Sequence, residues 1–354
     1  VRVSRIIGSV RSASEPVEEA KSTSSIYTLH MMVDPVNEDE AISLFLTPPA
    51  TPMHGGTDRL AVQVEVAYTT LDGMRSTRIQ TRMWRVAANL EGYLKSISPQ
   101  TVAVLLAKRS VLQATQLHHL RYEDGMRGIR ADLDEGLKIF CKGLENSNSS
   151  SSGSVHVPAL PEHLALLPEL IYHMRQGPLL GLAFEDSDSV KILRSRFLRM
   201  EFSLAYRVIL PELHSFDANG KFEALPLSTL AMQERRILLL DNLFQIIIWR
   251  GKLLESSECS MVRGACEEEA WRRTIGRVPC PDILQMSQGS TGERWLLCRL
   301  SPGHKESKGS QVRDFPGLGR DEIGESEREK IQNRLGHGIA HKSFREYFMS
   351  LFGY

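Results

Sequence analysis

The spacing of apolar residues changes twice along the chain, and this limits the fold more than any other feature. Up to about residue 86 the period is two. Leu60, Val62, Val64 and Val66 alternate with polar or small residues, and Thr77, Ile79, Thr81 and Met83 alternate again beyond Leu71-Asp72-Gly73-Met74. Alternation puts successive side chains on opposite faces of a strand, and Asp-Gly between two such runs marks a tight turn. The pattern predicts a β-hairpin with one buried face. Ser25 to Met31 and Ile42 to Leu46 read as further strands, and Pro48, Pro49, Pro52, Gly55 and Gly56 break the chain before the hairpin. Residues 1–86 therefore read as a partial β-sandwich.

From Trp84 the period becomes helical. Ser98-Pro99 is a helix start, because serine caps free N–H groups and proline at the first helical position loses no bond. Val102 to Ala107 is apolar all round, so this helix should be central. Ile129, Leu133, Leu137, Phe140 and Leu144 form one stripe of an amphipathic helix. Asn146 to Ser154 is Ser-rich and reads as a disordered loop by composition; the sequon Asn148-Ser149-Ser150 inside it carries no weight. Helical patterns resume over Glu162 to Arg175 and Ser189 to Ala205, which makes residues 87–206 a helical domain.

Beyond Tyr206 short apolar runs return. Arg236 to Leu240 and Phe244 to Trp249 read as strands joined by Asp241-Asn242, Glu267 to Arg273 as a helix, and Arg294 to Leu300 as a strand ended by Ser301-Pro302-Gly303. Residues 303–330 are polar and Gly-rich and read as a mobile loop. A last helix starts at Ser343, with Phe344, Tyr347, Phe348 and Leu351 on one side. The fold class is α+β and multidomain, with an α/β domain over 207–322 and a C-terminal helix within 323–354. A length of 354 residues suits two or three domains.

Charge and cysteines narrow the function classes. Lys plus Arg and Asp plus Glu both number 43, so no global field draws the chain to nucleic acid, and none is expected as a partner. The five cysteines, Cys141, Cys259, Cys266, Cys280 and Cys298, contain no Cys-x-x-Cys pair and read as buried or free thiols. No apolar run reaches the roughly 18 residues of a membrane span. Val1 stands where an initiator Met would, so the chain reads as part of a longer protein.

Five stretches, taken in order, resemble the GTPase-activating subunit family of the COPII inner vesicle coat. They are the hairpin strand Arg75 to Trp84 with its Arg82-Met83-Trp84 step, the Ala/Leu/Arg-rich helix Gln100 to Gln113, Pro168 to Arg175, Arg236 to Gly251, and the loop-and-strand Gly289 to Pro302. The resemblance covers most of residues 59–302. It implies a β-sandwich, an all-helical domain and a gelsolin-like α/β domain, with the final helix packing on the helical domain. It places the family's zinc module and central trunk largely N-terminal of this chain, so no cofactor or metal is expected here.

The family's activity is to accelerate GTP hydrolysis by the coat's Sar-type small GTPase, supplying an arginine in trans without itself being an enzyme. A guanidinium stays charged and bonds two phosphate oxygens at once. The motif match makes Arg294 that arginine and Gly289, Ser290, Thr291, Gly292 and Trp295 the partner-binding loop; two glycines would let a partner approach the backbone closely. The implied partners are the Sar-type GTPase, the sister cargo-adaptor subunit, the outer coat subunits and, peripherally, the cytoplasmic side of the endoplasmic reticulum membrane. One departure is plain. The family has a small neutral residue before the arginine, whereas Glu293 could pair with Arg294 or repel the phosphates.

The plainer readings stand beside this one. An arginine that opens a strand is ordinarily a solvated surface residue. A structural or cargo-adaptor coat subunit without the GTPase role fits the same domain order, and an actin- or calcium-linked gelsolin-type protein would need repeated units that the sequence lacks. No G-x-x-x-x-G-K-[ST] occurs, so the chain should not bind GTP through a P-loop. His118-His119 points in two directions, His173 sits in an apolar helix, Cys298 reads as packing, and Glu267 to Arg273 reads as a solvated face. Trp84, Trp249, Trp271 and Trp295 read as core or interface anchors.

Overall fold

The computed structural model describes residues 2–13, 17–21, 24–33, 38–47, 59–117, 122–148, 160–181, 187–217, 222–256, 259–315, 318, 324–335 and 341–352. His118-His119 and residues 149–154 of the Ser-rich segment lie outside them. The chain is an α+β protein and divides into two compact units, one of Val1–Ser98 with Arg199–Glu201, the other of Pro99–Leu198 with Phe202–Tyr354.

The first unit contains β1 (Arg2–Ile7), β2 (Val10–Ala13), β3 (Val17–Lys21), β4 (Ser24–Thr28), β5 (Met31–Val33), β6 (Ser43–Thr47), β7 (Arg59–Thr69), β8 (Arg75–Arg85) and helix α1 (Leu90–Ser96). Its strands pair antiparallel as β1–β6, β2–β5, β3–β4 and β7–β8. The β7–β8 hairpin forms where alternation predicts it, but its faces differ from the expectation. Thr69 pairs with Arg75 across Thr70–Met74, so even-numbered residues meet even-numbered ones: Leu60 faces Trp84, Val62 faces Arg82 and Val66 faces Arg78. Ile79 and Met83 therefore lie on the opposite face from Leu60, Val62, Val64 and Val66. This register separates the two apolar rows, and Val64, Val66, Ile79 and Met83 are all exposed.

The second unit begins with α2 (Pro99–Thr115), α3 (Tyr122–Asn148), α4 (Leu166–Gln176), α5 (Ser187–Arg199) and α6 (Phe202–Ile209). Helix α2 packs against α3, α4 and α6 and buries Ala103, Val104, Ala107 and Val111, in keeping with its apolar run. The α3 stripe is buried at Ile129, Leu133, Leu137 and Leu144. Asn146 to Asn148, read as loop, are the end of this helix.

The chain then forms β9 (Glu212–Asp217), β10 (Phe222–Leu225), β11 (Arg236–Asp241), β12 (Gln245–Arg250), α7 (Ser260–Thr274), β13 (Asp282–Ser287), α8 (Arg294–Leu297), α9 (Lys308–Asp314), α10 (Glu325–Leu335) and α11 (Phe344–Leu351). The five strands form one sheet in the order β10-β9-β11-β12-β13, antiparallel except for the β12–β13 pair. Strands β11 and β12 read as continuous apolar runs because both sheet faces are covered. Leu238, Leu240, Ile247 and Trp249 join Leu296, Ile331 and Leu335 on one face. Ile237, Leu239, Ile246 and Ile248 join Cys266 and Ala270 of α7 on the other.

Two sequence expectations fail here. Residues 303–330 are not a continuous loop, since α9 and the start of α10 lie within them and bury Gln311 and Arg328. Their polar composition hides a sparse helical spacing: Arg328, Ile331 and Leu335 fall on one side. Residues 294–300 are not a strand. Glu293, Leu296 and Leu300 are buried at steps of three and four, a helical period, and the strand beside β12 is Asp282–Ser287 instead.

Helix α11 packs on α3 and α4. Ser343 and Glu346 close a capping box at its start. Phe344 and Tyr347 set their rings 5.7 and 5.5 Å from that of Tyr172. The Tyr347 hydroxyl donates to Asp134 Oδ1 at 2.9 Å, and Arg175 lies 2.9 Å from the same carboxylate. Burial raises the Asp134 carboxyl above its ordinary range, against the opposing pull of Arg175 and the Tyr347 hydroxyl.

Candidate functional site

The sequence-predicted loop follows β13 at the end of the sheet where β12 and β13 both finish. Gly289 turns the chain with φ +79°, in the left-handed region that side chains disfavour. Ser290 N–H donates to Ser287 O at 3.0 Å and Glu293 N–H to Ser290 O at 3.1 Å, so the turn tightens into a 3-10 segment, Thr291–Glu293, that leads directly into α8. Gly289, Ser290 and Thr291 are exposed, Gly292 and Trp295 are half-buried, and Arg294 is exposed at the first position of α8. Trp295 packs against the core cluster from its edge. Sequence and structure thus agree on an exposed Arg294, but a helical turn presents it, not a strand.

Glu293 faces the other way. It is 6% exposed and three donors hold its carboxylate. Trp249 Nε1–H donates to Oε1 at 2.9 Å, Arg334 Nη1 donates to Oε1 at 2.6 Å, and the Gly289 N–H donates to Oε2 at 3.2 Å. Arg334 also donates to Met232 O at 2.9 Å, and its guanidinium stands 5.5 Å from the Trp249 ring centroid. The Glu293 carboxylate is therefore committed to the protein interior. Sequence reasoning treated Trp249 as an anchor but did not find Arg334, whose only signal was the helical spacing of α10.

A second charged cluster occupies the other end of the sheet. Asp241 is fully buried at the end of β11. It accepts from Arg277 at 2.8 and 2.7 Å, from Leu243 N–H at 3.0 Å and from Arg273 at 3.4 Å. Burial pushes its carboxyl up, but Arg277 and the Leu243 amide outweigh that, and the net position is below the ordinary 3.8. Arg273 also bonds Glu269 at 2.7 Å and Glu212 at 3.0 Å, so this end of α7 is an ion-pair network and not simply a solvated face.

The other sequence candidates keep structural places. His173 is buried beside the Tyr172 ring. Cys298 is half-buried just past α8, with its thiol toward Trp295 O at 3.3 Å. Burial raises the Cys266 thiol to about 12. Among the described residues, no group of three or more His, Cys, Asp and Glu side chains is placed to hold a metal ion, and no helix is long and apolar enough to cross a membrane.

No protein-family model matches the chain. It is 28% identical over 320 residues to protein transport protein SEC23 A of Arabidopsis thaliana, an alignment covering 90% of this chain. The crystal structure of the human COPII-coat protein Sec24c superposes on 82% of the chain with a TM-score of 0.55 at 15% identity, a likeness of fold. The chain fits a C-terminal part of a Sec23/Sec24-family protein. The chain spans 35% of the length of each of these relatives.

Proposed function

We propose that the chain is part of a COPII coat subunit that activates GTP hydrolysis by the coat's Sar-type small GTPase in trans, with Arg294 as the inserted arginine. It would act in endoplasmic reticulum-to-Golgi transport on the cytoplasmic side of the membrane, beside a cargo-adaptor subunit and the outer coat. The observation that carries this reading is the pairing of an exposed Arg294 with a Glu293 turned inward onto Trp249 and Arg334. An exposed guanidinium beside an exposed carboxylate would be a poor ligand for phosphate. Here the carboxylate is turned inward, and the exposed Arg294 would meet charge growing on a partner's transferring phosphoryl group.

The test uses a chimaera in which this chain replaces the stretch of the Arabidopsis relative that it matches. Stimulated GTP turnover by the Sar-type GTPase should fall by about 10³-fold or more on Arg294→Ala, while binding of the GTP-loaded partner is largely kept. Arg294→Lys should recover little, since an ammonium lacks the planar fork. A second reading, a coat subunit without the GTPase role, takes its support from the fold likeness to Sec24c. It becomes the better one if Arg294→Ala turns over GTP as fast as the parent chimaera.

A further inference from the structure

The Glu293 anchor joins four separate parts of the chain: β12 through Trp249, the β13–α8 turn through Gly289 and Glu293, α10 through Arg334, and the segment before β11 through Met232 O. Such convergence is more than one surface carboxylate needs for solvation. A buried carboxylate with fewer donors would be costly, and here each oxygen is met. The residue so fixed is the one directly before Arg294, at the junction where a 3-10 turn becomes a helix. Fixing its side chain fixes the backbone from which the Arg294 side chain springs.

We infer that Trp249 and Arg334 are positioning residues for Arg294, acting through Glu293. Trp249 is fully buried and the Arg334 side chain is 19% exposed. Arg334 supplies a two-pronged hold, one nitrogen on Glu293 Oε1 and one on Met232 O, that a lysine would not reproduce. Trp249 supplies a single N–H from the core side of the sheet and a ring face for the Arg334 guanidinium. What Arg294 does rests on the function proposed above, whereas the positioning itself rests on this geometry alone.

Two measurements test it. The first is amide hydrogen exchange on the full 354-residue chain and on Arg334→Met, with Glu293→Gln as a second, milder variant. Gly289 and Glu293 amides should exchange at least about tenfold faster in Arg334→Met while β11 amides keep their protection, which marks a local release. Should Arg334→Met loosen β11 as well, Glu293→Gln decides. It keeps the side-chain size and an acceptor for Trp249 or Arg334 but weakens the hold on the Gly289 amide. Unchanged protection at Gly289 in both variants overturns the inference.

The second is GTP turnover in the chimaera. Arg334→Met should lower the saturating stimulated rate by about 10- to 100-fold, since small misplacements of a catalytic group cost that much, and leave the half-saturating concentration unchanged. Arg334→Lys should recover part of the loss. Combined with Arg294→Ala, Arg334→Met should add no further loss, because both act through one group. A purely structural Arg334 would give losses that multiply, and that result overturns the inference. If Arg294→Ala itself costs nothing, the GTPase reading falls, and the exchange experiment still judges the anchor.

Discussion

Replacing Asp241 by Asn should destabilise the second unit by about 3 kcal/mol. The carboxylate is fully buried and accepts both terminal nitrogens of Arg277, the Leu243 amide and, at longer range, Arg273. Breaking a buried pair typically costs about 3–5 kcal/mol, because the surviving partner is stranded away from water. Two details favour the low end. The Arg277 side chain is 18% exposed, and Arg273 keeps Glu269 and Glu212. For a unit of this size the loss corresponds to about 6–12 °C in Tm. Urea unfolding followed by far-UV circular dichroism measures it, with Arg277→Met and the double variant completing the cycle.

The double variant should be less damaged than the sum of the singles, since removing both charges strands neither. The pH dependence follows from the depressed carboxyl. Stability from a carboxyl held below its ordinary 3.8 is complete above that value and is lost as pH falls through the lower folded value. The difference between parent and Asp241→Asn should therefore be constant from neutral pH to about 4 and shrink in stronger acid. A loss under about 1 kcal/mol at neutral pH, or a difference that shrinks between pH 8 and 5, would refute the reasoning.

Tyr347→Phe removes the hydroxyl that bonds Asp134 and should cost about 1.5–3 kcal/mol in the same unfolding assay, the range for a hydrogen bond to a charged group. No measurable change would mean that α11 docks through its rings alone. His304 is buried against Thr229, and burial, reinforced by Lys305, holds its imidazole down to about 4. It should therefore stay neutral in the folded chain until far below 6.5. The unfolded chain takes up a proton first, so stability should decline as pH falls from about 6.5 toward 4. A His304 resonance with a titration midpoint near 6.5 would contradict this.

Where the sequence carried a period, the fold was legible. The α2 run, the α3 stripe and the paired apolar strands β11 and β12 all announce themselves, because each buries side chains at a fixed spacing along one element. Where burial came from several elements at once, it was not. The Glu293 anchor is assembled from residues 249, 289, 293 and 334, and the sparse helical spacing of α10 places Arg334 near the core without naming its partner. The stretch Arg294 to Leu300 misled for a related reason. Trp-Leu-Leu is apolar enough for a strand, and only the burial of Glu293, an unexpected core residue, completes the helical spacing. Strand β13 was passed over because Gln285 and Ser287 dilute its apolar content at an edge with one neighbouring strand.

The β7–β8 hairpin behaves as a parity device. Thr69 meets Arg75, and that register decides whether the two apolar rows coincide or part. In the present setting they part, and the ribbon offers an aliphatic row beside Arg78 and Arg82 on one side and the Ile79–Met83 row on the other. Deleting one turn residue while Thr69 stays paired with Arg75 would leave every cross-strand pair unchanged, whereas a slip of β8 by one position against β7 would bring both rows to a single side. A one-residue slip of register would thus rewrite eleven paired positions at once. A change of register is accordingly a more powerful route to a new surface than any substitution along the strands.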